Sequence, residues 1–284
     1  MVERAPPIPY CQRWTERHEA RRPVGEVFDP SSYAVEPIDR ALAQDFVVEH
    51  HYSASYPAGI VWLGLWRKVA FLRAELMGAV IFSVPSNDAT IPKYLNVGPR
   101  YGAELGRFVL KDEVAANGES WTLARSFEIL RELKPHVRGV MSMSDPMERR
   151  DVAGNVLTPG HVGTIYQAFN GRYLGLSDPR YHHFDATGWE LNERTSEKIV
   201  AGHKGWNPAL DRLIKMGARR PSTSEDLRAW LDEVKHGPLF RKVRHPGKYV
   251  YGWRWDRDWR RPEPHPRRRT PKASTDRLPW PEHR

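Results

Sequence analysis

A chain of 284 residues, 40% of them hydrophobic and 28% charged, can bury the core of a large domain and is neither a disordered chain nor a membrane bundle. Its one cysteine, Cys11, excludes disulfide scaffolds, Cys-rich zinc modules and CxxC redox sites, and MVERAPPIPY lacks the apolar stretch of a signal peptide, so a cytoplasmic protein is expected. The 44 Lys plus Arg against 35 Asp plus Glu give +9, which points to a polyanionic partner such as nucleic acid, with plain solubility as the alternative.

Residues 1–30, rich in Pro and Arg and without periodicity, read as an irregular arm. Ile38, Leu42, Phe46 and Val47 predict a helix over 36–49, with Pro37 in its first turn, running into His50-His51-Tyr52. Strand patterns cover Ile60–Trp66, Glu75–Val84 and Glu104–Leu110, none of them apolar for long enough to cross a membrane. After Asn117-Gly118 the period changes: Trp121, Leu123, Phe127 and Leu130 predict a helix capped by Ser120 and ended before Pro135. Arg138–Ser144 reads as a buried strand closing at Asp145-Pro146, Gly160–Asn170 as a helix and Gly171–Leu176 as a strand. That order implies an α/β domain over 31–185, with a mixed sheet and at least one βαβ crossover.

Residues 186–255 read as an accessory extension packed on this domain, with helices at Asn207–Met216 and Ser224–Val234. It closes on Leu239–Trp255 (LFRKVRHPGKYVYGWRW), a strand-like segment that mixes cations with aromatics. Arg244 and Lys248 are its candidates for contact with a phosphate backbone. The face shared by Tyr249, Tyr251, Trp253 and Trp255 suits either a core or a nucleic acid. Residues 256–284 hold six prolines and the Arg267–Arg269 run, and are expected to form a disordered basic tail.

Several residues carry possible chemistry. His51 can shuttle a proton, ligate a metal or simply cap the first helix, and Tyr52 beside it can donate a hydrogen bond or stack on a base. Asp145 stands at the C-terminal end of a buried strand, the usual place for site residues in an open α/β sheet, or makes an Asp-Pro turn. Arg107 needs a carboxylate or phosphate partner, with Glu104 and Asp112 as the bland choices. Tyr166 is a site tyrosine or a core aromatic, and His161 precedes its helix. His182, His183 and His203 lack a carboxylate at metal spacing, so the metal variant is a single ion on His51 with Tyr52 or Tyr166.

GTIYQAFNGRYLG, with Tyr166, Phe169, Gly171 and Tyr173, resembles the GCN5-related N-acetyltransferase (GNAT) superfamily. Together with EHHYSAS, ELGRFVL before AANGESWTLARS, MSMSDP and GHVG, the pattern from Val47 to Asp178 resembles the phage Mom family of DNA-modification proteins, a divergent GNAT branch. The resemblance implies a GNAT-like mixed sheet flanked by helices. It also implies an enzyme that converts the exocyclic amine of adenine in double-stranded phage DNA to a carbamoylmethyl derivative, protecting it from host restriction. It places His51, Tyr52, Asp145 and Tyr166 in the catalytic set, Arg107 near the substrate, and Asn117, Gly118 and Ser120 in a donor-binding loop. The superfamily's Q/R-x-x-G-x-G/A coenzyme A loop is not matched by EVAANGES, which has one glycine and no basic first residue. The donor, acetyl-CoA or another small molecule, stays open. The alternatives are an ordinary GNAT acetyltransferase acting on a protein or small amine, and a non-catalytic DNA-binding protein of the same fold.

Overall fold

The computed structural model describes the backbone of residues 12–15, 18–21 and 159 and, in full, residues 26–53, 55–68, 74–151, 153–158, 160–255 and 259. Most of the expected arm, and the tail with Arg267–Arg269, lie outside the described residues. The first half of the chain runs β1 (Gln12–Thr15), β2 (His18–Arg21), β3 (Tyr33–Pro37), α1 (Arg40–His50), β4 (Gly59–Arg67), β5 (Glu75–Ser83), α2 (Thr90–Leu95), β6 (Gly102–Leu110), α3 (Gly118–Leu133) and β7 (Gly139–Ser144). It continues with β8 (Glu148–Arg150), β9 (Val156–Pro159), α4 (Thr164–Ala168), β10 (Arg172–Leu176), β11 (Arg180–Phe184), α5 (Glu193–Ala201), α6 (Trp206–Lys215), α7 (Leu227–His236), β12 (Arg241–His245) and β13 (Tyr249–Arg254).

Seven strands form one mixed sheet in the order β10-β13-β7-β6-β5-β4-β3. All neighbours are antiparallel except β6 and β7, whose parallel pairing is bridged by α3, the expected βαβ crossover. The crossover helix lays Leu123, Phe127 and Leu130 on Val80, Phe82 and Leu105. On the opposite face α1 packs Ala43, Phe46 and Val47 against Ala79, Ile81 and Val109.

Several expected boundaries move for physical reasons. Pro37 is not in the first turn of a helix; it ends β3, an edge strand where its missing N–H costs no ladder bond. The α1 N-cap is Asp39, and Leu42, expected on its buried face, is exposed. Asn117, in the left-handed region at φ 73°, caps α3, so Ser120 lies within the helix and its hydroxyl donates back to the Asn117 carbonyl (3.1 Å). The α4 helix is only five residues long, because Gly160 and Gly163 at positive φ hold the chain out of helix until Thr164. Within the arm, β1 and β2 form an antiparallel pair rather than irregular chain.

The larger correction concerns residues 186–255. β13 is an interior strand of the central sheet, hydrogen-bonded to β7 on one side and β10 on the other. Its aromatic face is core: Tyr249 and Tyr251 are buried, and Trp253 and Trp255 pack beside them on Phe127. The helices α5, α6 and α7 close around a separate core of Ile199, Leu210, Leu213, Trp230 and Leu231. This helical unit interrupts β11 and β12, which pair with each other.

Tyr251 is fully buried; its hydroxyl donates to the Val162 carbonyl (2.5 Å) and accepts from the Gln167 amide (2.9 Å). Tyr251→Phe removes both bonds while Gln167 keeps its own bond to Val162. The expected cost is about 1 kcal/mol, seen as a melting temperature lower by about 2–4 °C in a circular-dichroism scan.

Candidate active site

β6 and β7 pair for only three residues, Gly102–Glu104 against Gly139–Met141, and then part. The Ser142 hydroxyl, donating to the Leu105 carbonyl (3.0 Å), spans the start of the opening. Against β5, Leu105 pairs with Phe82 but Arg107 with Ile81, so Gly106 is an extra residue, a β-bulge. The bulge turns Arg107 onto the face that Glu104 already occupies; in a regular strand they would point to opposite sides. Glycine suits this position, because a Cβ would crowd the Ser83 side chain and Pro57.

Three further segments converge on this opening. The turn after α1 brings His51 and Tyr52, and it is anchored by Arg107, whose guanidinium donates to the Ser55 carbonyl (2.8 Å) and hydroxyl (2.6 Å). A third bond goes to the Gly106 carbonyl, leaving two of the five N–H donors of Arg107 without a protein partner among the described residues. The loop before α4 brings His161, held by its N–H on the Asp145 carbonyl (2.7 Å). The helix α4 itself brings Tyr166. Gly163 at its start has φ 72° and lies so close to Tyr166 and Tyr251 that no side chain fits.

The side chains form a chain of rings. His51 and Tyr52 are 4.3 Å apart between centroids, Tyr52 and His161 6.0 Å, and His161 and Tyr166 6.4 Å. The Tyr52 hydroxyl lies 3.3 Å from His161 Nε2. Burial is the main cause of every shift in their protonation. It raises Tyr52 well above the usual phenol range and moves Tyr166 in the same direction, so both stay neutral. It lowers His51 to about 3, helped by the charge of Arg107, so this imidazole is neutral at pH 7. His51 Nδ1 accepts the Ser53 amide N–H (3.1 Å), which leaves the proton on Nε2. His51 is therefore placed as a neutral imidazole with its Nε2–H available as a hydrogen-bond donor. Burial also raises Glu104 above the usual carboxylate range, against the charges of Lys248 and Arg107.

Asp145 belongs to a second layer. Its carboxylate accepts from His245 Nε2 at 2.9 Å, and His245 Nδ1 accepts the Gly247 N–H (3.0 Å), which fixes the tautomer. Burial would raise the Asp145 carboxyl, but the His245 hydrogen bond and the charges of Arg149 and Lys248 outweigh it and hold it below the usual range. Arg149 reaches Asp145 (3.6 Å) and Glu190 (3.8 Å). His182, which has no carboxylate at metal spacing in the sequence, has Glu190 at 2.5 Å, and its ring lies tilted against His245 with centroids 5.1 Å apart. Of the two candidate phosphate contacts, Lys248 faces this layer electrostatically, whereas Arg244 is exposed on β12.

Asn117, Gly118 and Ser120 do not join this group. Asn117 and Ser120 line a shallow depression of about 560 Å³ with Glu26, Phe28, Pro30 and Trp121. The Ala116 N–H that would meet a donor phosphate is taken by the Glu26 carboxylate (2.8 Å), and the space over Gly118 is filled by Val114 and Phe28. A carboxylate in that position repels a pyrophosphate, so these residues do not fit coenzyme A. Among the described residues no group of three or more His, Cys, Asp or Glu could hold an ion.

The sequence model of the Mom protein family matches residues 32–219, about two thirds of the chain. The chain belongs to the Mom protein family. A similar protein is the methylcarbamoylase mom of Escherichia phage Mu, 27% identical over 170 residues that make up 59% of this chain and 63% of that protein. The present chain thus spans less than two thirds of that relative's length. The matched family region contains His51, Tyr52, Glu104, Arg107, Asp145, His161 and Tyr166, and ends before Arg244, His245 and Lys248. No helix among the described residues is long and apolar enough to cross a membrane.

Two groups in this Mom-family site escape a reading of sequence. Glu104 reads there only as a counter-ion for Arg107, yet it makes no ion pair with it among the described residues. His245 is 100 residues from Asp145, and no local pattern links them. The buried neutral His51 carries a pH signature. Its folded pKa is depressed, so below about 6.5 the unfolded chain takes up a proton that the folded one refuses. Stability is complete above that pH and falls as the pH drops towards 4. His51→Gln should flatten this part of the profile, as read from urea midpoints at pH 7, 5.5 and 4.5.

Proposed function

We propose that this Mom-family chain is an enzyme that modifies the exocyclic amine of adenine in phage DNA, in the finer reading by attaching a carbamoylmethyl group that blocks host restriction. The observation that carries this reading is the meeting of Glu104, Arg107, Tyr52, His161 and Tyr166 at the opening between β6 and β7, all inside the span shared with the family. Support also comes from the name of the phage Mu relative, a methylcarbamoylase, and from the net charge of +9.

The chemistry asks for these groups. Adenine's amine is a weak nucleophile because its lone pair is delocalised into the ring, so its proton must leave as the new N–C bond forms. Glu104, with a carboxyl raised by burial and no competing ion pair, is suited to take that proton. As the N–C bond forms, the bond from the transferred carbon to the donor's leaving group breaks and its electron pair departs with that group. Tyr52 and Tyr166, kept neutral, and the two unused N–H groups of Arg107 are suited to donate hydrogen bonds to the charge that gathers there. Asp145 works as a positioning residue through His245. The amine is paired inside duplex DNA, so the base has to swing out to reach this opening. An ordinary acetyltransferase using acyl-CoA is less well supported, because Glu26 occupies the loop where the pyrophosphate would sit.

The test is mass spectrometry of nucleosides from DNA of cells expressing the protein. Wild type should yield an adenine nucleoside heavier by one carbamoylmethyl group. Glu104→Gln should lower its formation by about 100-fold or more, and Tyr166→Phe by a similar factor, with melting temperatures close to wild type. Unmodified DNA from cells holding folded wild-type protein would sink the proposal.

A further inference from the structure

The pair formed by β10 and β13 does not stop at the sheet. After a short break at residues 177–179 and 246–248, the same two chain segments pair again as β11 and β12. The break is tied by Ser177 N–H on the Lys248 carbonyl (2.8 Å) and Lys248 N–H on the Ser177 hydroxyl (2.8 Å). The result is a two-stranded arm that leaves the central sheet.

The register sorts the side chains of this arm. Tyr181 lies opposite Arg244 and His183 opposite Lys242 on one side, while Arg180 with His245, and His182 with Val243, lie on the other. The second side holds the His182–His245–Asp145 contacts, so the arm is pinned to the rim of the candidate site. The first side is exposed at Lys242, Arg244 and Tyr181. Tyr181 is 57% accessible and is the single exposed aromatic among the described residues. The Lys242 ammonium sits 4.6 Å over its ring. Lys235, at the end of α7, adds its charge beside His183.

Some exposed cations elsewhere are matched, Arg219 with Glu225, Arg220 with Asp211, Lys93 with Asp178 and Arg150 with Glu148, while others such as Lys204, Lys215 and Arg228 stand scattered without an aromatic beside them among the described residues. Lys242 and Arg244 have no such carboxylate among the described residues. We propose that the outer side of β11–β12 is the surface that docks duplex DNA and presents it to the site, resting on the reading that the chain acts on DNA. Charge complementarity favours this occupant, and so does shape, because a two-stranded ribbon fits the major groove, about 12 Å wide. The cations meet phosphates and Tyr181 lies on the groove wall. Both cations lie beyond the matched family span, whereas Tyr181 and His183 on the facing strand lie within it.

The experiment measures binding of the full chain to a short unmodified duplex across a salt series. It compares wild type, Lys242→Gln/Arg244→Gln, and the charge-matched control Lys204→Gln/Lys215→Gln on exposed positions of the helical unit. The arm variant should bind more weakly at every salt concentration. Its log-affinity against log-salt slope should flatten by about 0.9 for each lost phosphate contact, about 1.8 in all. The control should keep the wild-type slope. An arm variant with the wild-type slope, or equal losses in both variants, overturns the proposal and leaves the charges as guards of an exposed ribbon edge. Wild type that binds through the arm yet leaves DNA unmodified in the nucleoside analysis sinks the proposed chemistry and not the surface. Modified DNA with an unchanged arm-variant slope sinks the surface alone.

Discussion

The parallel contact of β6 and β7 governs this molecule because it is so short. Three residue pairs join the strands through the crossover helix α3, and beyond Glu104 and Met141 the two backbones diverge. Diverging strands in the middle of a sheet leave backbone groups and a cleft that the rest of the fold has to serve. Ser142 reaches across to Leu105, the bulge at Gly106 swings Arg107 inward, and α4 closes one side with Tyr166. β13 then completes the sheet beyond β7, so the cleft lies between two continuous half-sheets.

Burial sets the character of the cleft. Two neutral phenols, a neutral imidazole, one guanidinium and a carboxyl of raised pKa share it, and desolvation is the largest cause of each shift. A site dominated by neutral donors suits a reaction in which charge develops only while bonds change. The charged groups Asp145, Arg149 and Glu190 are set one layer back, where they compensate one another and His182 and His245 link them to the arm. Geometry at the cleft is therefore coupled to the placement of a ribbon that begins some 70 residues away in sequence from the closing strand.

Periodicity made the central sheet readable. β4, β5, β6 and β7 fall within one or two residues of their expected spans, and α3 shows its apolar face in the spacing of Leu123, Phe127 and Leu130. The motifs around His51 and Tyr166 lie on segments that reach the cleft, whereas Asp145 stands one layer back on His245. Partnership was not readable. Nothing in YVYGWR says that its neighbours will be MSMS and RYLGL, because a strand's own pattern does not encode which edge receives it. The bulge that aligns Glu104 with Arg107 depends on the Ser83 and Pro57 packing, which lies on other segments. His245 lay hidden for the same reason, as a single histidine in a basic stretch whose partner is across the fold.

The helical unit has a consequence for how such a chain can change over generations. It leaves after Phe184 and returns at Arg241, and those two residues are direct partners on one ladder, so its two ends lie within a few ångströms of each other. With its own apolar centre around Trp230, it meets the conditions under which a segment can be lengthened, shortened or exchanged while the parent sheet stays intact. The ribbon that carries it is meanwhile fixed by Asp145 and His245. Any exchange at this junction has to keep Glu190, whose carboxylate meets His182 and Arg149, so the part of the unit that can be replaced without disturbing the site begins beyond it and alters what the molecule meets first.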